Sequence, residues 1–327
     1  MRGEWLVEGD WLSGTTFLLL TSALLSQEQS LANWETCCLA EIFLPQNKTY
    51  SELKDCALIL YRICKKSLSL PCHHDETAAI VARNYRMGIG ISGYLQATDE
   101  QKAWLPQLYE DLRAYDVAFS KEHGLPVSRK LTTVKPSGTL SLLPGVTPGW
   151  HPALFKYYIR RIRMPSNHAL VELCRSHGYD IEFQVGFDGT PDRKTSIISF
   201  PCKTPDGVPL ADELTAIDEL EIVKHLQSVW SDNAVSNTIY FRPHELDGIK
   251  TWLRQNYSTS LKTVSFMLQY DHGFAQAPYS PITETEFVEM TARVQPITSS
   301  QGRRIDIDDA DELDSSLECP GGACPLR

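Results

Sequence analysis

The sequence predicts an α/β fold. Short apolar runs of strand character recur along the chain, and longer stretches with apolar residues at helical spacing lie between them. Sheets covered by helices on their faces need such nearly continuous apolar strands. A third observation sets the C-terminus apart: the chain ends in Cys319-Pro-Gly-Gly-Ala-Cys324-Pro-Leu-Arg327, preceded by a strongly acidic stretch.

In chain order, the first strand is Cys38-Leu-Ala-Glu-Ile-Phe-Leu44, an apolar run closed by Pro45. Caps and helical spacing predict helices over 50–67, 75–97, 99–123 and 166–177. Ser196-Ile-Ile-Ser-Phe200 is the second strand, followed by a helix over 218–231 and by Val235-Ser-Asn-Thr-Ile-Tyr-Phe241 as the third. A helix over 243–255, the strand Val264-Ser-Phe-Met-Leu268 and a helix over 283–293 complete the order. There is no internal repeat and no linker, and the only composition shift comes after Arg304.

With 327 residues, 42% hydrophobic and 22% charged, the chain can bury a sizeable core. Its formal net charge of −10 supplies no basic field to collect a polyanion. Nucleic acid is therefore not an expected partner, and any phosphate must be met by loop amides and a few Arg or Lys side chains. The apolar run at 15–25 is too short to span a bilayer. Three acids against one Arg precede it, opposite to the flank of an export signal. Neither a membrane nor export is expected, and nine cysteines then indicate a reducing, cytoplasmic setting where thiols do chemistry.

The stretch Asp306-Ile-Asp-Asp-Ala-Asp-Glu-Leu-Asp314 cannot bury enough apolar surface to offset its ordering entropy, so a mobile arm is expected. Cys319 and Cys324 at its end can close a small disulfide ring and exchange with an outside dithiol. A zinc site would need a second Cys or His pair at ligand spacing, and no metal site is expected.

Four further segments carry chemistry. Val134-Lys-Pro-Ser-Gly-Thr-Leu-Ser141 reads as a loop entering a helix, with backbone N–H groups and hydroxyls arranged to hold phosphate; the alternative is an ordinary capped connector. Trp34-Glu-Thr-Cys-Cys38 opens the first strand, where adjacent thiols point to opposite faces or serve as small core residues. Asp271-His-Gly-Phe-Ala-Gln-Ala-Pro-Tyr279 follows a strand end, where α/β folds bind ligands. Ile159-Arg-Arg-Ile-Arg163 is a basic cluster expected to form an exposed face paired with surplus acids.

Together with Asn84-Tyr-Arg-Met-Gly-Ile-Gly-Ile-Ser-Gly93 and Asn233-Ala-Val-Ser-Asn-Thr-Ile-Tyr240, these segments resemble, in order, the C-terminal half of the catalytic chain of ribonucleotide reductase, in particular the adenosylcobalamin-dependent class II enzymes. The resemblance runs from about Gln27 to Arg327. It implies half of a ten-stranded α/β barrel over 26–304, an unrelated segment over 1–25 and a flexible dithiol tail over 305–327. It implies reduction of ribonucleoside tri- or diphosphates by radical chemistry, with adenosylcobalamin as cofactor and thioredoxin or glutaredoxin as external reductant.

Residue by residue, it implies that Ser137, Gly138, Thr139 and Ser141 hold substrate phosphates. Glu28 would be the general base, Cys37 a redox thiol, and Cys319 with Cys324 the shuttle. The family pattern Asn-Pro-Cys-Gly-Glu departs here to Leu24-Leu-Ser-Gln-Glu28, which puts Ser26 at the radical cysteine. The family's upstream half is expected as a missing partner. An inactive remnant that only binds nucleotide or exchanges disulfides is the alternative. A subunit relying on a separate radical-generating protein is disfavoured, because Tyr270 and Tyr279 form no adjacent pair for a radical relay.

Overall fold

Thr49, Thr98, Thr215 and Thr283 each open a helix with a reciprocal capping box, their hydroxyls accepting from the third helical N–H. In the computed structural model, which describes residues 29–36, 38–186, 189–269 and 276–298, these helices alternate with strands. The order begins with β1 (Leu39–Phe43), α1 (Tyr50–Ser67), α2 (Asp75–Asn84) and β2 (Gly88–Ser92). It continues through α3 (Asp99–Ala103), α4 (Leu105–His123), β3 (Tyr157–Pro165), α5 (Ala169–Ser176), β4 (Asp180–Val185) and β5 (Pro191–Lys203). The last elements are α6 (Ala216–Val229), β6 (Ile239–Phe241), α7 (Leu246–Ser260), β7 (Phe266–Leu268), β8 (Tyr279–Pro281) and α8 (Glu284–Arg293).

Two parallel pairs lie at the centre. Strand β1 pairs with β2 in a register that sets Glu41 opposite Gly90, and β6 pairs with β7. Parallel bridges extend the first pair outward, from Ile89 to Thr132 and from Val134 to Val235. The main core lies between these strands and α1, α4, α6 and α7, with Leu53, Tyr61, Ile89, Ile91, Leu108, Leu112, Leu220 and Trp230 among its buried members. The remaining strands form an antiparallel sheet in the order β4-β5-β3-β8, backed by α5 through a small cluster of Val171, Cys174 and Ile198.

The α/β class predicted from the sequence is the one observed, and the helix over 50–67 has its predicted limits. The helix expected over 75–97 is a correction. It stops at Asn84 because Tyr85 turns left-handed at φ 40°, and 88–92 is the buried strand β2. The Gly88-Ile-Gly-Ile alternation is a period-two pattern, and its glycines leave room for side chains of β1. The helix expected over 99–123 divides at Trp104, where Pro106 supplies the first turn of α4 and cannot continue the hydrogen-bond ladder of α3. Pairing also runs wider than expected: β5 is 13 residues long, and β3, β4 and β8 were not foreseen.

The Arg160–Arg163 cluster lies within β3 and matches the expected exposed, acid-paired face only in part: Arg163 is exposed and Arg161 Nε stands 3.9 Å from Glu182 Oε1, whereas Arg160 is buried. Arg160 is only 8% exposed and stacks over Tyr279 at 4.4 Å. Arg161 donates to Ala277 O at 2.9 Å and Arg163 to Gln276 O at 3.0 Å. Three guanidinium groups therefore hold the approach to β8 by donating to the carbonyls of Gln276, Ala277 and Pro278. Among the described residues no helix is long and apolar enough to cross a membrane.

Candidate functional site: a phosphate-type loop over a buried carboxylate

An acid in the middle of an apolar strand needs partners, and Glu41 finds them through the β1–β2 register. Its side chain is 2% exposed. Ser92 Oγ, at the end of β2, donates to Glu41 Oε1 at 2.5 Å and itself accepts from Gly149 N at 2.9 Å. Lys135 Nζ stands 3.4 Å from Glu41 Oε2. Burial pushes the Glu41 carboxyl up to about 7, opposed by the Lys135 charge and by the hydroxyls of Ser92 and Ser137. The carboxylate thus lies directly beneath the loop that begins at Lys135.

That loop is shaped by strain at one residue. Ser137 adopts φ 45°, a left-handed conformation uncommon for a side chain larger than glycine. The Ser141 N–H returns to Ser137 O at 3.0 Å, and a single 3-10 turn (Leu140–Leu142) follows instead of the expected longer helix. Among the described residues the N–H groups of Ser137, Gly138 and Thr139 donate to no backbone carbonyl. The Ser141 hydroxyl is buried and has no hydrogen-bond partner among the described residues, whereas the Ser137 hydroxyl is close enough to the Glu41 carboxyl to oppose its upward shift. Uncommitted amides and a buried hydroxyl in a loop that begins at a lysine make a site for an anion such as phosphate.

The returning chain braces the loop from below. Gly149, at φ 55°, has no room for a Cβ, which would stand 2.7 Å from Lys135 O. Trp150 is fully buried and its Nε1 donates to Ser236 O at 2.9 Å, tying this segment to the stretch before β6. Asn233 spans two neighbouring segments, its Nδ2 donating to Met87 O and to Thr132 O, both at 2.9 Å. Asn237 does the same nearby, donating to Thr263 O at 3.1 Å and accepting from Ser265 N at 3.0 Å. At the other end of β2, Asn84 and Arg86 both bind Glu35. The segments around Asn84 and Asn233 thus position strands.

Of the residues predicted from the sequence, Ser137, Gly138, Thr139 and Ser141 come together in this one loop. Gly138 and Ser141 are buried, Ser137 is half-buried and Thr139 is exposed. Ser26, Glu28, Cys37, Cys319 and Cys324 lie outside the described residues, as does most of the loop after Gln269. Sequence reading missed Glu41 and Ser92. The lone acid of Leu-Ala-Glu-Ile-Phe was the available signal, because a charge in an apolar strand is retained only with partners. An open concavity lined by Glu221, Lys224, His225, Thr259 and Lys262 contains none of the loop residues. No group of three or more His, Cys, Asp or Glu that could hold a metal occurs among the described residues.

No family model matches the chain. It is 35% identical over 275 residues, 82% of its length, to an adenosylcobalamin-dependent ribonucleoside-triphosphate reductase of Euglena gracilis. It is 30% identical over 92% of its length to the protein of that name from Lactobacillus acidophilus. A crystal structure of a B12-dependent class II ribonucleotide reductase superposes with a TM-score of 0.73 at 26% identity, covering 86% of this chain and 44% of that one. The chain spans 37% of the Euglena protein and 44% of the Lactobacillus protein.

Proposed function

We propose that this chain, which is homologous along most of its length to part of the adenosylcobalamin-dependent ribonucleoside-triphosphate reductases, is the nucleotide-phosphate-holding portion of an enzyme that reduces ribonucleotides to deoxyribonucleotides. One observation carries the reading: the Ser141 hydroxyl and the amides of Ser137, Gly138 and Thr139, uncommitted among the described residues, belong to the one loop that begins at Lys135. A nucleoside triphosphate is the preferred substrate, following the relatives' names, with a diphosphate as the nearest variant. Residues 26–304 form the partial barrel domain, flanked by an unrelated segment over 1–25 and a dithiol tail over 305–327. The chained parallel pairs from β1 through Val235 support half of a ten-stranded barrel.

In this reading the loop fixes the phosphates, and Lys135, held by Glu41, supplies a positive charge at its base. Glu28 takes or returns a proton at the ribose, Cys37 is one of the thiols oxidised in turnover, and Cys319 with Cys324 resets them by exchange with a thioredoxin-like reductant. The setting is cytoplasmic. Adenosylcobalamin, named for the relatives, supplies the radical when bound. The loop's amides, hydroxyls and ammonium suit phosphate and do not suit a corrin ring.

Ser26 supports a second reading, in which the chain binds nucleotide or exchanges disulfides without turnover. A serine O–H is a much stronger bond than the thiol S–H that the radical step requires, and Leu24 stands where the family carries Asn. Calorimetric titration with a ribonucleoside triphosphate tests the phosphate loop. Ser137→Ala combined with Thr139→Ala is expected to weaken binding about tenfold, close to one ordinary hydrogen bond. Equal affinities for variant and wild type would remove the loop from the substrate site. An assay for deoxynucleotide with adenosylcobalamin, nucleoside triphosphate and a dithiol separates the two readings, and turnover by this chain would displace Ser26 from the radical position.

A further inference from the structure

Among the described cysteines, Cys38 and Cys64 are joined by a hydrogen bond. Cys38 leads into β1 and its Sγ donates to Cys64 O at 3.7 Å. Cys64 lies in the C-terminal part of α1 and is 2% exposed, whereas Cys38 is half-buried. The hydrogen bond from Cys64 holds the Cys38 thiol below its ordinary range, against burial, while the same contact and burial push Cys64 up. The positive charge of Lys135 acts the other way on Cys64 and favours its thiolate.

A more accessible thiol of lowered proton affinity beside a buried partner is the division of labour that thiol–disulfide exchange requires, with one sulfur to attack and one to resolve. We propose that Cys38 and Cys64 are an oxidisable dithiol that exchanges with low-molecular-weight disulfides and closes a disulfide between β1 and α1. The inference does not depend on the nucleotide reading. The Cys38 thiolate attacks one sulfur of glutathione disulfide, forming a mixed disulfide and releasing one glutathione thiolate. Cys64 then gives up its proton and attacks the Cys38 sulfur, which forms the Cys38–Cys64 bond and releases the second glutathione. Two protein thiols lose two electrons and two protons, and one glutathione disulfide becomes two glutathiones. The product ties the strand that carries Glu41 to the helix packed against it.

The test incubates the full chain with glutathione disulfide, alkylates the remaining thiols with iodoacetamide, and locates cross-linked peptides by tandem mass spectrometry. A Cys38–Cys64 link with the loss of two hydrogens is expected, and the link must persist in Cys37→Ser, which excludes the neighbouring thiol. In Cys64→Ala, Cys38 is expected to retain one glutathione. If circular dichroism shows that variant unfolded, Cys38→Ala carries the same test, because Cys64 must then stay a free thiol. Recovery of both cysteines alkylated in the wild-type chain would overturn the proposal. So would a Cys38 link to Cys37, Cys319 or Cys324.

Discussion

Lys135 Nζ and Glu41 Oε2 face each other across 3.4 Å, with side chains 12% and 2% exposed, although 94 positions separate them in the chain. The contact couples the phosphate-type loop to the proton carried by a strand. Burial pushes Glu41 up to about 7 from an ordinary carboxylate near 4.5. Between those values the folded chain binds more protons than the unfolded one. Stability contributed by the neutral acid is therefore full below the unfolded value and falls as pH rises toward about 7, by roughly 3 kcal/mol.

Glu41→Gln is expected to remove that slope. Glu219, pushed up to about 8 chiefly by burial, slopes in the same direction, so the informative quantity is the difference between variant and wild type. Urea unfolding at several pH values measures it, and parallel curves would dissociate Glu41 from the titration. Nucleotide affinity should follow the same proton. A negative charge beneath the loop opposes phosphate, so wild-type binding should tighten as pH falls through about 7, and Glu41→Gln should bind with less pH dependence.

Gly90 is the second lever on this pair. A Cβ there would stand 2.4 Å from Glu41 Oε2 and 3.2 Å from Lys135 Cγ. Gly90→Ala is expected to force both side chains aside and cost about 1–3 kcal/mol by overpacking. It should also weaken nucleotide binding in calorimetry. Wild-type values for both would mean that the loop tolerates displacement of its base.

Asp116 anchors the packing of α1 on α4. It accepts from Tyr61 at 2.6 Å, from Lys65 at 2.7 Å and from Ser128 N at 2.8 Å, and both Lys65 and Asp116 side chains are fully buried. Burial raises the Asp116 carboxyl, but these partners together hold it below its usual range. A depressed carboxylate contributes stability above its unfolded value and loses it as pH falls through the folded one. Asp116→Asn strands the Lys65 ammonium and should cost about 3–5 kcal/mol, read as a lower denaturation midpoint with an unchanged slope. A loss under about 1 kcal/mol would mean that water or another group replaces the partner.

The tail predicts a separate redox readout. Cys319 and Cys324 should oxidise to a disulfide that thioredoxin reduces, because two thiols spaced by Pro-Gly-Gly-Ala can close a small ring. Peptide mass spectrometry after mild oxidant and again after thioredoxin follows it. Both thiols intact after oxidant would count against a shuttle.

By itself the sequence determined the elements governed by neighbours in the chain. Helix α1 was legible to the residue because its cap and its apolar spacing are local, and the Lys135–Ser141 loop was legible because its Pro, Gly and hydroxyl residues are adjacent. Strand β2 was misread because Gly88 and Gly90 make sense only against the side chains of β1. Tertiary structure alone brought Ser92 to Glu41 across 51 positions, set Cys38 against Cys64 across 26, and buried Arg160 of the basic cluster against Tyr279. Those meetings depend on strand register and helix packing, which fix side chains far apart in sequence. Periodicity and propensity act over a few residues and carry no information about which distant partner a strand will choose.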